Sequence, residues 1–156
     1  MNAYNNPIVI LMADDDEDDR MLTADALRES KLINDLNSVN DGEELMDYLH
    51  HRGRYAPPAA SPRPGLVLLD LNMPRKDGRE VLREMKGDPL LRSIPVVVLT
   101  TSKAEEDVEC IYDLGANSFI MKPVTFDGLV HAMRVATEYW FQVVQLPAGA
   151  RESQNG

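Results

Sequence analysis

The sequence has few of the features that mark secreted, membrane or metal-finger proteins. One cysteine, Cys110, among 156 residues cannot form an internal disulfide. No apolar run approaches the ~20 residues that a membrane-spanning helix needs. Residues 1–7 lack the basic start and apolar centre of a signal peptide. We therefore expect a cytoplasmic protein of about one domain.

Basic residues are also scarce. The chain has 16 Lys and Arg against 26 Asp and Glu, for a net charge of −10. Proteins that bind nucleic acid through its phosphates usually carry a basic patch or stripe, so neither nucleic acid nor a membrane is expected as a partner. The histidines His50, His51 and His131 do not stand at zinc-ligand spacing with Cys110.

Short apolar runs alternate with segments that have helical periodicity. Strands are predicted at 8–13, 35–39, 66–70, 95–100 and 118–121. Helices are predicted at 16–30, 41–52, 77–86, 103–114 and 125–144. Asp41 and Glu44 resemble a capping box, Gly115 is suited to end the fourth helix, and residues 55–64, with four prolines, are predicted to be a loop. This alternation predicts an α/β fold with a parallel sheet.

Polar residues stand at the carboxyl ends of these predicted strands, where parallel sheets collect their chemistry. Asp14 and Asp15 follow the first strand, Asp70 ends the third, Thr100 ends the fourth and Lys122 follows the fifth. Neighbouring carboxylates repel one another unless a cation joins them, and oxygen ligands favour magnesium. With a lysine and a hydroxyl nearby, such a site would bind a phosphoryl group, and one carboxylate could be the nucleophile.

These motifs, in this order, resemble the receiver domain of two-component response regulators. They are Ala-Asp-Asp-Asp at 13–16, Leu-Asp-Leu-Asn-Met-Pro at 69–74 with Asp-Gly at 77–78, Leu-Thr-Thr-Ser at 99–102, and Phe-Ile-Met-Lys-Pro at 119–123. The resemblance covers roughly residues 8–144. It implies a flavodoxin-like (βα)5 fold, a doubly wound parallel sheet with strand order 2-1-3-4-5.

Carried over by position, the resemblance implies that Asp70 is the phosphoacceptor. It implies that Mg2+ is held by Asp14, Asp15, Asp70 and the backbone carbonyl of Asn72. Lys122 would pair with Asp70 and with the phosphoryl group. The Lys122–Pro123 peptide is commonly cis in the family, which would aim the lysine inward.

The resemblance also implies a switch. After phosphorylation, the Thr100 hydroxyl would reach a phosphoryl oxygen and Phe119 would turn into the vacated space. Asn72 and Ser102 stand at the positions that tune the lifetime of the phosphoryl group. Because Ser102 has no carboxylate or amide to orient a water molecule, rapid self-dephosphorylation is not expected.

A closer likeness is to single-domain regulators of phytochrome-type histidine kinases. It rests on the long segment 48–64, the Val-Leu-Thr-Thr-Ser run at 98–102 and the extended last helix. We therefore expect a histidine kinase as the phosphoryl donor.

One receiver domain is expected over residues 1–146, with a short polar tail at 147–156, so the output would be protein contact or phosphate relay to another protein. The last helix ends in more apolar side chains than one inward stripe needs, which predicts a homodimer through this helix and the strand-five face. The alternative is packing against its own sheet and a folded-back tail. The side chains concerned are Tyr139, Trp140, Phe141, Val143, Val144 and Leu146.

Two other functions are weighed against a non-enzymatic receiver. Aspartyl-phosphate phosphatases of the haloacid-dehalogenase type place a second aspartate two residues after the nucleophile, where this chain has Asn72, and they usually carry a cap insertion. A receiver-like scaffold without phosphorylation would not need its acceptor site, yet Asp15, Asp70, Thr100 and Lys122 are all present.

Overall fold

The computed structural model describes residues 8–29, 34–71, 73–100 and 105–140, in which five strands alternate with five helices. The strands form one parallel sheet in the order β2-β1-β3-β4-β5, which confirms the predicted fold. The elements are β1 (Ile8–Ala13), α1 (Glu17–Glu29), β2 (Asn34–Val39), α2 (Gly42–His50), β3 (Leu66–Leu69), α3 (Gly78–Gly87), β4 (Val96–Thr100), α4 (Glu105–Asp113), β5 (Ser118–Met121) and α5 (Phe126–Glu138).

Two apolar cores lie on opposite faces of the sheet, because successive strand side chains point to opposite sides. On one face, Leu11, Leu69 and Val98 pack with the buried sides of α2, α3 and α4. On the other face, Ile10 and Leu68 pack with α1 and α5. Helices therefore cover both faces of the sheet, and its polar groups collect at the carboxyl ends of the strands.

The last helix follows its predicted inward stripe as far as the structure describes it. Leu129, Met133 and Ala136 are buried, and Trp140 is partly buried against the second core. The Tyr139 ring meets Trp140 edge-on, with 5.3 Å between the ring centroids. The predicted continuation to residue 144, with Phe141, Val143 and Val144, lies outside the described residues, as does Leu146.

The predicted loop 55–64 has neither helix nor strand from residue 56 onwards, whereas Tyr55 is the last residue of a 3-10 turn. Hydrogen bonds hold this loop against the end of α2. The Tyr48 hydroxyl donates to the Pro62 carbonyl at 2.8 Å, and Ser61 Oγ lies 2.9 Å from His51 Nδ1. The predicted second helix was too long. It ends at His50 because His51 adopts a left-handed φ of 56°, after which a 3-10 turn, Gly53–Tyr55, begins.

The end of the fourth helix agrees with its prediction. Gly115 has a φ of +106°, which favours glycine, and its N–H donates to the Tyr112 carbonyl at 3.0 Å. The Ala116 N–H donates to the Ile111 carbonyl at 3.1 Å. Together these bonds form a Schellman motif, which satisfies carbonyls at the helix end.

Asp41 joins the start of α2 to the loop after β3. Its carboxylate is buried; Oδ1 accepts from the Glu44 N–H at 2.8 Å and Oδ2 from the Arg75 guanidinium at 2.6 Å. Glu44 Oε1 accepts from the Asn40 N–H at 2.6 Å, one residue earlier than in a standard capping box. The cap therefore holds two segments of the chain together as well as ending the helix.

The Asp41→Ala variant is expected to lose about 0.5–2 kcal/mol of unfolding free energy, because the helix cap is removed. Urea unfolding followed by circular dichroism measures this loss. Glu43→Ala, a change at an exposed residue in the same helical turn, is the matched control. Equal losses in both variants would show that the Asp41 contacts contribute nothing particular.

Candidate metal centre

Three carboxylates meet at the carboxyl ends of β1 and β3. Ala13 pairs with Leu69 in the parallel register, and the Asp70 N–H donates to the Ala13 carbonyl at 3.0 Å. Each of Asp14, Asp15 and Asp70 offers an oxygen within 4.8 Å of the others. Asp14 and Asp70 are buried and Asp15 is exposed. An all-oxygen donor set that opens to solvent on one side fits a hard divalent cation such as Mg2+.

Lys122 reaches the same site from the end of β5, where its backbone N–H donates to the Thr100 carbonyl at 2.8 Å. Its Nζ lies 2.9 Å from Asp14 Oδ2 and 2.9 Å from Asp19 Oδ2. The distance from Nζ to Asp70 Oδ2 is 3.9 Å. The ammonium therefore approaches Asp70, as the resemblance implied, but its hydrogen bonds are made to Asp14 and Asp19.

The electrostatics of the site keep Lys122 charged. Burial alone would lower its pKa, but hydrogen bonds to Asp19 and Asp14, together with the charge of Asp70, outweigh this effect. The net result is a pKa above the usual lysine range. Lys122 is therefore a cation at neutral pH and can donate to anionic oxygens.

The expected cis peptide before Pro123 is wrong. The Lys122–Pro123 peptide bond is trans. The one cis peptide bond among the described residues joins Pro57 to Pro58. The ammonium nevertheless lies at the site, since its contacts with Asp14 and Asp19 place it there.

Asp19 is the site residue that the sequence did not identify. It belongs to the acidic first turn of α1, a pattern that helix-dipole stabilisation already explains. Asp16 Oδ1 accepts from the N–H groups of Asp18 and Asp19, at 2.9 and 3.2 Å, and so begins the helix next to the candidate metal ligands. The contact with Lys122 depends on the packing of distant segments, which no local pattern reports.

Thr100 and Phe119, the predicted switch residues, lie on the neighbouring strands β4 and β5. Thr100 is fully buried at the end of β4. Phe119 is partly buried in β5, opposite Val98 in the register, and its N–H donates to the Tyr112 hydroxyl at 3.1 Å. Asn72 and Ser102 lie outside the described residues, so their assigned roles stay predictions.

The loop that carries Asp70 is closed tightly onto α3. The Gly78 N–H donates to the Leu71 carbonyl at 2.9 Å, and Asp77 caps the helix by accepting from the N–H groups of Arg79 and Glu80. A Cβ built on Gly78 would lie 2.7 Å from the Asp70 carbonyl oxygen. The helix thus approaches the backbone of Asp70 as closely as a glycine permits.

Comparison with known proteins decides which family uses this arrangement. The family model described as the response regulator receiver domain matches residues 10–134. The chain belongs to this receiver family. Receivers act as phosphorylation-dependent signalling switches, and a two-component origin agrees with the motifs at the strand ends.

Individual relatives of this receiver include regulators of light signalling. Response regulator Rcp1 of Synechocystis sp. is 42% identical over 144 residues, which cover 92% of this chain and 96% of that protein. The structure of the phosphorylated cyanobacterial phytochrome response regulator RcpA has a TM-score of 0.83 at 42% identity, covering 91% of this chain and 99% of that chain. The structure of RPA3017, in red light signalling of R. palustris, has a TM-score of 0.85 at 34% identity and the same coverages.

These similarities confirm the predicted likeness to regulators of phytochrome-type kinases. The Mn2+-bound structure of Rcp1, with a TM-score of 0.83 at 42% identity over 91% of this chain and 100% of that one, is a relative with a divalent cation. The findings do not favour the phosphatase or the phosphorylation-free scaffold. No helix in the described part of the receiver is long and apolar enough to cross a bilayer.

Proposed function

We propose that this receiver accepts a phosphoryl group from a histidine kinase onto Asp70 in a Mg2+-dependent reaction. The observation that carries the proposal is the placement of the buried Asp70 carboxylate. Its oxygen lies within 4.8 Å of oxygens of Asp14 and Asp15, and Asp70 Oδ2 is 3.9 Å from the ammonium of Lys122.

Asp14, Asp15 and Asp70 would hold Mg2+, together with the backbone carbonyl of Asn72, which lies outside the described residues. When bound, the ion supplies positive charge against the phosphoryl oxygens. An oxygen of Asp70 forms a bond to phosphorus while the P–N bond of the phosphohistidine breaks and its electron pair returns to the imidazole. Lys122 donates to the transferred group and balances its charge.

The aspartyl phosphate adds negative charge and acceptor oxygens beside Thr100. In this proposal the Thr100 hydroxyl donates to one of these oxygens, and Phe119 turns into the space that Thr100 leaves. The face built from α4, β5 and α5 then changes its partners. Asn72 and Ser102 would set the lifetime of the phosphoryl group, and rapid self-dephosphorylation is not expected.

The proposal also names the partners of this receiver. The phosphoryl donor in this proposal is a phytochrome-type kinase. The receiver domain covers residues 1–146, followed by the tail 147–156, and is cytoplasmic and non-enzymatic. It signals by protein contact and binds neither nucleic acid nor a membrane. We also propose that two copies form a homodimer through the last helix and the strand-five face. The half-exposed side chains of Met121 on β5, Val135 on α5 and Tyr139 just after α5 support it.

The test is phosphotransfer from an autophosphorylated histidine kinase, with acetyl phosphate as a second donor. In Mg2+ we expect the intact mass of this chain to gain one phosphoryl group, and borohydride reduction before peptide mapping to locate the acyl phosphate at Asp70. A chelator is expected to stop the transfer. Failure of both donors to label this chain, under conditions that label a control receiver, would contradict the proposal.

A further inference from the structure

Two acidic residues in different environments share the ammonium of Lys122. Asp14 is buried, and its second oxygen, Oδ1, accepts from the Asp16 N–H at 3.0 Å. The Asp19 side chain is 37% exposed and lies on the first turn of α1. Nζ is 2.9 Å from an oxygen of each, but 3.9 Å from Asp70. The lysine is thus held on the α1 side of the site, away from the acceptor oxygen.

We propose that Asp19 is a positioning residue that competes with the phosphoryl group on Asp70 for Lys122 and so weakens the phosphorylated state. This inference rests on the proposed function, in which Lys122 pairs with that group. It assigns to the first turn of α1 a role in setting how strongly the site holds a phosphoryl group.

The competition follows from the position in which the ammonium is held. Lysine has three N–H groups, and the two that donate to Asp14 and Asp19 keep Nζ 3.9 Å from Asp70 Oδ2. A phosphoryl group on Asp70 accepts hydrogen bonds best when the ammonium moves towards it, and the bond to Asp19 opposes that movement. Of the two bonds, the one to Asp19 exchanges more readily for water because this carboxylate is partly exposed.

The test uses beryllium trifluoride, a phosphoryl mimic that binds without a chemical step, titrated calorimetrically in saturating Mg2+. Asp19→Asn removes the competing charge and is expected to bind the mimic about two- to fivefold more tightly than wild type, the size expected for a partly exposed ion pair. Asp19→Glu restores a carboxylate and is expected to return the affinity towards wild type.

Asp18→Asn is the matched control. It removes the same charge from the same helical turn, where Asp18 is exposed and its neighbour Asp19 carries the contact with Lys122. Both asparagine variants lose the same helix-dipole interaction, and Asp19→Asn also loses its ion pair with Lys122, so it is expected to melt slightly below Asp18→Asn. A tighter complex for Asp19→Asn alone, reversed in Asp19→Glu, supports the competition.

Equal affinities for Asp18→Asn and Asp19→Asn would overturn the inference, and so would weaker binding by Asp19→Asn. These results leave the proposed function intact, because wild type still binds the mimic. If wild type fails to bind it, or Asp70→Asn binds it equally well, the proposed function itself is wrong and this inference fails with it.

Discussion

The Asp70→Asn protein is expected to take up no phosphoryl group from acetyl phosphate, whereas the wild type gains one in the presence of Mg2+. The substitution replaces one carboxylate oxygen by an amide nitrogen at nearly constant shape. It therefore leaves the packing of this buried position intact. An amide is a poor nucleophile and cannot form the acyl phosphate. Intact-mass spectrometry measures the outcome directly, and the expected effect is complete loss of labelling.

The specificity of that loss is established with Asp18→Asn, the same chemical change at an exposed position of α1, which is expected to be labelled like wild type. Circular dichroism of all three proteins checks that the fold is retained. If Asp70→Asn still gained a phosphoryl group, the acceptor would have to be another residue, with the neighbouring carboxylates Asp14 and Asp15 as the first candidates.

Gly78→Ala is expected to lower the free energy of unfolding by about 1–3 kcal/mol, the range found when a tightly packed site is overfilled. The added Cβ would lie 2.7 Å from the Asp70 carbonyl oxygen and 2.9 Å from Leu71 Cα. Both are backbone atoms, so no side chain can rotate away, and α3 must move relative to the end of β3. We therefore also expect slower labelling of Asp70, because its carboxylate is carried by the strand end that moves.

The same helix supplies the control. A Cβ on Gly87 meets nothing within 4 Å, so Gly87→Ala creates no clash. Alanine is favoured over glycine in helices by up to ~1 kcal/mol, so this variant is expected to be as stable as wild type or slightly more stable. Urea unfolding of both variants makes the comparison, and equal stability would mean that the close approach at Gly78 relaxes without cost.

The sequence predicted the sheet well because buried parallel strands are nearly continuous apolar runs. The bounds of β1 and β5 agree with their predictions, and the order of the strands followed from the family resemblance. Helix ends were harder to predict. The second helix stops at His50 through a left-handed His51, a residue type that gives no strong stop signal.

In the candidate site, some residues could be predicted from the sequence and one contact could not. Asp14, Asp15 and Asp70 were predictable because each follows or ends a strand, and the parallel register places strand ends together. The pairing of Lys122 with Asp19 was not, because it depends on how closely the start of α1 approaches the end of β5. Acidic residues in a first helical turn are common for reasons of the dipole alone, and this explanation concealed the second role of Asp19.

The cluster of carboxylates around the Lys122 ammonium affects the stability of the whole domain. Asp14, Asp19 and Asp70 lie within 4 Å of the Lys122 ammonium, and Asp15 lies beside Asp14 and Asp70. Negative charge is therefore in excess at the folded site, and unfolding disperses it. A divalent cation that binds only the folded chain then shifts the folding equilibrium by mass action. Each tenfold rise in free cation above its dissociation constant adds about 1.4 kcal/mol to folding. The free concentration of divalent cation thus raises the free energy of unfolding of this receiver, before any kinase acts on it.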